Sequence, residues 1–277
     1  MRTGRVMRAW CAALVLGSML AVPHPALADT IEDGLRHYKA GDHAAAAEIF
    51  RDLARDGSAR AQYNLAVLYD HGRGVEQSTV EAVRWYRAAA EQGNAEAQYN
   101  LAVSYADGEG VAQDNEAAVR WYRTAAAQGH PRARYNLAVA YTDGRGVPQD
   151  DTKAVEWFRA AAEEGHVSAH FNLGVMHGEG RGVPQDDAEA VRWFRAAADQ
   201  GHVYAQYNLG VRYATGKGVV QDNETAHVWT TLAMRGGDLK ARRNLEIIAA
   251  RLSDAELDAA QKRADALWAG QGEPLER

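Results

Sequence analysis

The stretch Ala97 to Arg132, AQYNLAVSYADGEGVAQDNEAAVRWYRTAAAQGHPR, returns at a spacing of 36 residues in both directions. Copies open at Ala61 (AQYNLAVLYDHGRGV), Ala133 (ARYNLAVAYTDGRGV), Ala169 (AHFNLGVMHGEGRGV) and Ala205 (AQYNLGVRYATGKGV), and a remnant at Ala241 keeps Asn244 and Leu245. A unit this short cannot bury its apolar side alone, so copies in phase must stack on one another as a solenoid. At 277 residues the chain is long enough for two globular domains, but no linker or break in composition interrupts the copies. With 25% charged residues, 47% hydrophobic residues and only six prolines, one continuous helical array is expected.

Spacing within the unit predicts two helices. On the first, Ala97, Leu101, Ala102 and Tyr105 share one broad side, and Tyr99 and Val103 fall nearly opposite, so the helix must be covered twice. It stops at Gly108-Glu109-Gly110, where glycine accepts a left-handed helix end. The second helix is expected to start at the N-cap Asp114, with counterparts Ser78, Asp150, Asp186 and Asp222. Ser78 with Glu81 and Asp186 with Glu189 have capping-box spacing. Ala118, Trp121, Tyr122, Ala125 and Ala126 then follow a helical period up to Gly129, the tryptophan filling the space between hairpins.

The ends depart from the unit, as solenoid ends must. Residues 29–58 read as a degenerate opening hairpin, residues 59–251 as five full units plus a terminal half, and residues 252–277 as a closing helix and tail. On the closing helix Leu257, Ala260, Ala264, Leu267 and Trp268 form the expected apolar side, and Glu273 to Arg277 are expected to fray. Residues 1–28 read as an export signal: Arg2, Arg5 and Arg8, then an apolar run from Ala9 to Val22, then Ala26-Leu27-Ala28 before the expected cleavage. The run is short for a membrane span, so no membrane insertion is expected after cleavage. Cys11, the sole cysteine, leaves with the signal. Of 31 basic residues three are lost, leaving 28 against 37 acidic, a formal net charge of −9. An acidic chain without basic clusters argues against nucleic acid as a partner.

The recurring pattern A-x-A-x-x-N-L-G/A-x-x-Y-x-x-G-x-G-V-x-x-D-x-x-x-A-x-x-W-Y/F-x-x-A-A-x-x-G resembles the Sel1-like repeat, a relative of the tetratricopeptide repeat, and the opening hairpin resembles the shorter tetratricopeptide form. The resemblance implies an all-α, right-handed α-solenoid of Sel1-like/TPR-like helix hairpins with a C-terminal capping helix. It also implies a concave groove, lined by first helices, that holds a partner protein or peptide. Exported members of this kind often act as adaptors; the export signal with a cysteine-free mature chain fits a periplasmic location, with secretion as an effector the alternative. A monomer without cofactor or metal is expected.

Three sets of first-helix positions are the partner-binding candidates. Asn64, Asn100, Asn136, Asn172 and Asn208 (with Asn244) each offer a donor and an acceptor to an extended peptide, although recurrence in every copy favours a role in folding. Tyr63, Tyr99, Tyr135, Phe171 and Tyr207 suit either an interface or packing between units. Arg60, Glu96, Arg132, Ser168, Tyr204 and Lys240 differ among copies and are the positions where specificity is expected.

Other features favour ordinary structure. The Gly-x-Gly pairs follow helices and are read as helix stops. His130, His166 and His202 sit at helix starts, and His166, His170 and His177 would make a metal set only if helix and loop cooperated. Arg84, Arg87 and their copies read as a solvated second-helix face, Arg87 reaching Glu91. Enzymatic relatives are cysteine-rich, whereas this chain lacks paired cysteines, and none of Ser58, Ser78, Ser104, Ser168 or Ser253 starts a Ser-x-x-Lys motif. A non-enzymatic binding protein is therefore expected.

Overall fold

A computed structural model describes residues 30–271, so the expected leader and the end of the tail lie outside the described residues. Within them the chain is helical throughout. An opening hairpin, α1 (Ile31–Lys39) and α2 (His43–Arg55), is followed by α3 (Ala59–His71) with α4 (Thr79–Glu91), α5 (Ala95–Asp107) with α6 (Asn115–Ala127), and α7 (Pro131–Asp143) with α8 (Asp151–Glu163). Then come α9 (Val167–Glu179) with α10 (Asp187–Ala198), α11 (Val203–Thr215) with α12 (Asn223–Arg235), and the unpaired α13 (Leu239–Ala249) and α14 (Asp254–Gln271). From α1 to α13 each helix packs on its neighbours in sequence, and α14 packs on α12, giving a right-handed α-solenoid.

The expected N-caps form: Ser78, Asp114, Asp150, Asp186 and Asp222 each accept a backbone N–H from the first turn. Two expected capping boxes close only halfway, because the Glu81 and Glu189 carboxylates turn outward to Arg84 and Arg192. Ser253 and Glu256 do make the reciprocal pair, as do Thr30 and Asp33, which spacing had not singled out. First helices end on Gly72, Gly108, Gly144, Gly180 and Gly216, all left-handed.

The core repeats with the sequence. Leu65, Leu101, Leu137, Leu173 and Leu209 are all 0% exposed, and burying each such side chain contributes about 2 kcal/mol. Tyr86, Tyr122, Phe158 and Phe194 are buried beside them, while the preceding Trp85 and Trp121 are half-buried and bridge the cores of successive hairpins.

Polar side chains tie the hairpins together. Gln62, Gln98 and Gln206 donate from Nε2 to the carbonyls of Ala54, Ala90 and Ala198, at 3.1, 3.1 and 3.3 Å, and Arg134 reaches the Ala126 carbonyl at 3.2 Å. These carbonyls lie in the last turn of the preceding second helices, where they also accept the N–H of the following Gly57, Gly93, Gly201 and Gly129. Arg87 and Arg123 donate to the hydroxyls of Tyr105 and Tyr141 in the next unit at 2.9 and 3.2 Å, and Arg195 does the same to Tyr213. The second-helix arginines therefore staple units together, and Arg87 does not pair with Glu91 as its spacing suggested. The second glycine of each Gly-x-Gly is also more than a helix stop: a Cβ on Gly146 would lie 2.1 Å from the Asn115 carbonyl oxygen of the preceding unit.

At the end of the array, α14 lies against α12. Ala260 and Ala264 are its buried contacts, Leu257 and Trp268 are half-buried, and Leu267 is 42% exposed, so Leu267 is not part of the docking side. No helix among the described residues is long and apolar enough to cross a membrane.

Candidate functional site

The first helices place their aromatic and asparagine positions side by side. Tyr63, Tyr99, Tyr135 and Phe171 each rest on the buried ring of their own hairpin's second helix, centroids 5.7 to 6.1 Å apart, and stay half-exposed on the other side. On that side the following N-cap histidine stacks on three of them: His130 on Tyr99 at 4.6 Å, His166 on Tyr135 at 4.3 Å and His202 on Phe171 at 4.7 Å. The result is a continuous strip of paired rings across successive units.

The asparagines lock this strip. Asn172 donates to the Tyr135 hydroxyl at 3.4 Å and Asn244 to the Tyr207 hydroxyl at 3.0 Å, each reaching back one unit. Asn136 donates to the Tyr122 hydroxyl at 3.2 Å, and Asn208 to the Tyr204 carbonyl at 2.8 Å. Burial pushes the Tyr122 hydroxyl up to about 12, so it remains protonated at any physiological pH and its lone pair stays available to Asn136.

The six positions that vary among copies divide into engaged and open ones. Arg60 pairs with Glu32 at 3.0 Å, Glu96 with His130 Nε2 at 3.2 Å, and the Arg132 guanidinium sits 5.5 Å over the Tyr99 ring. Ser168 is half-buried, Tyr204 is 61% exposed beside Phe171 and His202, and Lys240 extends into solvent.

The helix-start histidines have distinct states. His130 and His202 accept the N–H of Ala133 and Ala205 at Nδ1, both 3.2 Å, which requires that nitrogen to be deprotonated. His166 makes no such cap bond. His170 bonds the His166 carbonyl and His177 lies beside Arg159, so the three do not converge. Among the described residues no three such side chains are placed to hold a metal ion. His227 was not singled out from sequence, although it stands where Val83, Val119, Val155 and Val191 stand in the other units. It lines an open cleft of about 510 Å³ with Leu245, Leu257, Glu246, Asp254 and Asp258.

Burial holds His166, His202 and His227 below the ordinary imidazole range, and burial followed by the Arg159 charge does the same to His177. The unfolded chain therefore binds more protons as pH falls below about 6.5. Stability that is fully present above that value is lost as pH drops through it toward the folded-state values. The thermal midpoint by circular dichroism is expected to fall between about pH 7.5 and about pH 5. His202→Asn, which keeps a cap acceptor without the titration, should flatten part of that fall. A midpoint unchanged across the range would contradict the neutral-histidine arrangement.

The Sel1 repeat family matches the chain at residues 59–94, 95–130, 131–166, 167–202 and 203–238. Among solved structures, the c5321 protective antigen of uropathogenic Escherichia coli, described as having an SLR fold, is similar over 85% of this chain at 33% identity and a TM-score of 0.78. The match spans only about half, 52%, of that protein's length. A Sel1 repeat protein from Oxalobacter formigenes is similar at 33% identity and a TM-score of 0.72, over 78% of this chain and 86% of its own. No curated protein matches the chain.

Proposed function

Because the chain belongs to the Sel1 repeat family, we propose that it is a non-enzymatic, exported adaptor that holds a partner protein or peptide along the face built by its first helices. The observation that carries this reading is the half-exposed strip of rings from Tyr63 to Tyr207, of which Tyr63, Tyr99, Tyr135 and Phe171 are backed by buried second-helix rings and Tyr135 and Tyr207 are held by asparagines of the next unit. Such a strip is rigid before any partner arrives, so little side-chain entropy remains to be lost on binding. Large amphipathic rings are the anchors that contribute most at protein interfaces. Several candidates among the varying positions are engaged within the chain, so partner contact at Arg60, Glu96 or Arg132 would have to compete with Glu32, His130 or the Tyr99 ring.

Photocrosslinking tests this reading. A photoreactive residue at Tyr135 is expected to capture a partner that the same residue at Arg120, exposed on the second helix, does not. Identical captures from both positions, or none from either, would remove the support for the first-helix face. A second reading, a secreted effector engaging proteins of another cell, is supported by the description of the uropathogenic relative as a protective antigen. Fractionation distinguishes the two: retention with periplasmic markers supports the adaptor, and accumulation in the medium supports the effector.

A further inference from the structure

The sixth first helix, α13, is built unlike the five before it. In every complete unit the first helix lies between two second helices, as α11 lies between α10 and α12. Helix α14 would be the second cover for α13, but it packs mainly on α12 and only borders a cleft with α13. On the face equivalent to Tyr204, Tyr207, Asn208 and Val211 of the preceding unit, Lys240, Arg243, Asn244 and Ile247 follow one another at i, i+3, i+4 and i+7. Leu239 next to it is 92% exposed and Ile247 is 48% exposed. Lys240 and Arg243 are exposed, and neither has an acidic partner among the described residues.

This face continues the ring strip. Asn244 bonds the Tyr207 hydroxyl, and Asn208 bonds the carbonyl of Tyr204, whose ring is largely exposed beside Phe171 and His202. Two carboxylates of the same segment are engaged elsewhere: Asp238 caps α13 by accepting from the N–H groups of Lys240 and Ala241, and Glu246 lines the cleft shared with α14. Earlier in the array the cations Arg60 and Arg132 are engaged by Glu32 and the Tyr99 ring. A chain with an acidic excess thus presents Lys240 and Arg243, with the exposed Arg242 between them, beside exposed apolar groups at one end of its first-helix face.

We propose that the surface from Tyr204 to Ile247 docks an acidic segment of a partner protein, with carboxylate side chains flanking an apolar anchor. Lys240 and Arg243 take the carboxylates, and Tyr204, Leu239 and Ile247 take the anchor. Exposed ion pairs contribute little affinity each, so the apolar contacts supply most of the binding and the two cations select the partner's charge. The proposal rests on the partner-binding reading of the first-helix face and adds the chemistry of the partner and the end of the array at which it docks.

The test is selection of a displayed library of random short peptides on the full exported chain. Wild-type protein is expected to enrich peptides in which Asp or Glu flanks a bulky apolar residue, and the double variant Lys240→Glu with Arg243→Glu to bind them about tenfold more weakly and to enrich basic peptides instead. Both side chains are exposed, so circular dichroism should be unchanged; Lys240→Gln with Arg243→Gln should lose the acidic preference without gaining a basic one. The same enriched set from wild type and charge-reversed protein would overturn the proposal. So would a change in sedimentation on charge reversal, which would make a second copy the occupant. Acidic peptides that depend on Tyr135 and Asn172 but not on Lys240 and Arg243 would leave the first-helix reading standing and sink this one. Enrichment of no peptide at all would sink both.

Discussion

Gly146→Ala is expected to lower the stability of the array by about 3 kcal/mol or more, while Gly144→Ala, two residues earlier, costs about 1 kcal/mol. Both glycines have positive φ, +71° and +68°, so alanine meets a similar backbone penalty at each. The difference lies in what the new Cβ would touch. At Gly144 the nearest atom is the Gln149 Cβ at 3.4 Å, ordinary contact. At Gly146 it is the Asn115 carbonyl oxygen at 2.1 Å, with the Asn115 carbonyl carbon at 2.4 Å and the Glu116 nitrogen at 2.9 Å, all backbone at the start of the previous unit's second helix. Backbone held in a helix cannot rotate away as a side chain would, so relief requires the two hairpins to separate. Because each unit contacts mainly its neighbours, the loss falls on the junction between α6 and α7–α8 and should also lower the cooperativity of unfolding. Urea unfolding followed by far-UV circular dichroism checks this, and equal losses for the two variants would contradict the close approach.

The same glycines show what sequence alone makes legible in this fold. A period of 36 residues, N-caps such as Asp114 and Asp150, and the left-handed stops at Gly108 and Gly144 are local signals, and the helices begin and end where they indicate. The close approach at Gly146 is a relation between units, and spacing within a unit is silent about it. Arg87 shows the same thing: Glu91 is its natural partner on an isolated helix, but the neighbouring hairpin brings the Tyr105 hydroxyl to 2.9 Å. A buried or half-buried acceptor on a packed surface outcompetes an exposed carboxylate whose pairing is screened by water. Leu267 was placed on the docking side of α14 because its spacing fits the helical period there, yet α14 meets α12 along a narrow stripe of Ala260 and Ala264 that excludes it.

For the candidate site, the positions were legible but their state was not. Glu96, Arg132 and Lys240 occupy equivalent places on successive first helices, and in sequence they look equally free. Packing separates them, because His130, the cap of the following first helix, lies beside Glu96 and α13 has no succeeding hairpin to supply such a group, while Arg132 lies over the Tyr99 ring of the preceding hairpin. Asn136, Asn172 and Asn244 likewise gain their targets only when the preceding unit's rings arrive, as Tyr135 does for Asn172.

Phe158→Ala is expected to cost about 3 to 5 kcal/mol, and Phe158→Leu under about 1.5 kcal/mol. The ring is 2% exposed and belongs to a core that includes Leu137, Val155 and Met176. Its removal forfeits the transfer energy of a buried aromatic and leaves a cavity that rigid helices on both sides close only partly. Leucine retains most of the volume in the same direction, so the cavity term shrinks. The two variants also separate stability from recognition, because Phe158 backs Tyr135 with ring centroids 5.7 Å apart. Without that support Tyr135 loses its fixed plane while keeping its stack on His166 and its bond from Asn172. Below the unfolding transition, crosslinking from a photoreactive residue at Tyr99, one unit away, should persist in Phe158→Ala, and partner affinity should fall only as far as Tyr135 contributes as an anchor. A stability loss below about 1 kcal/mol for Phe158→Ala would mean that the second-helix rings are not the packed base of the strip. An unchanged stability difference with abolished binding at every position would instead place the partner's anchor directly over this hairpin.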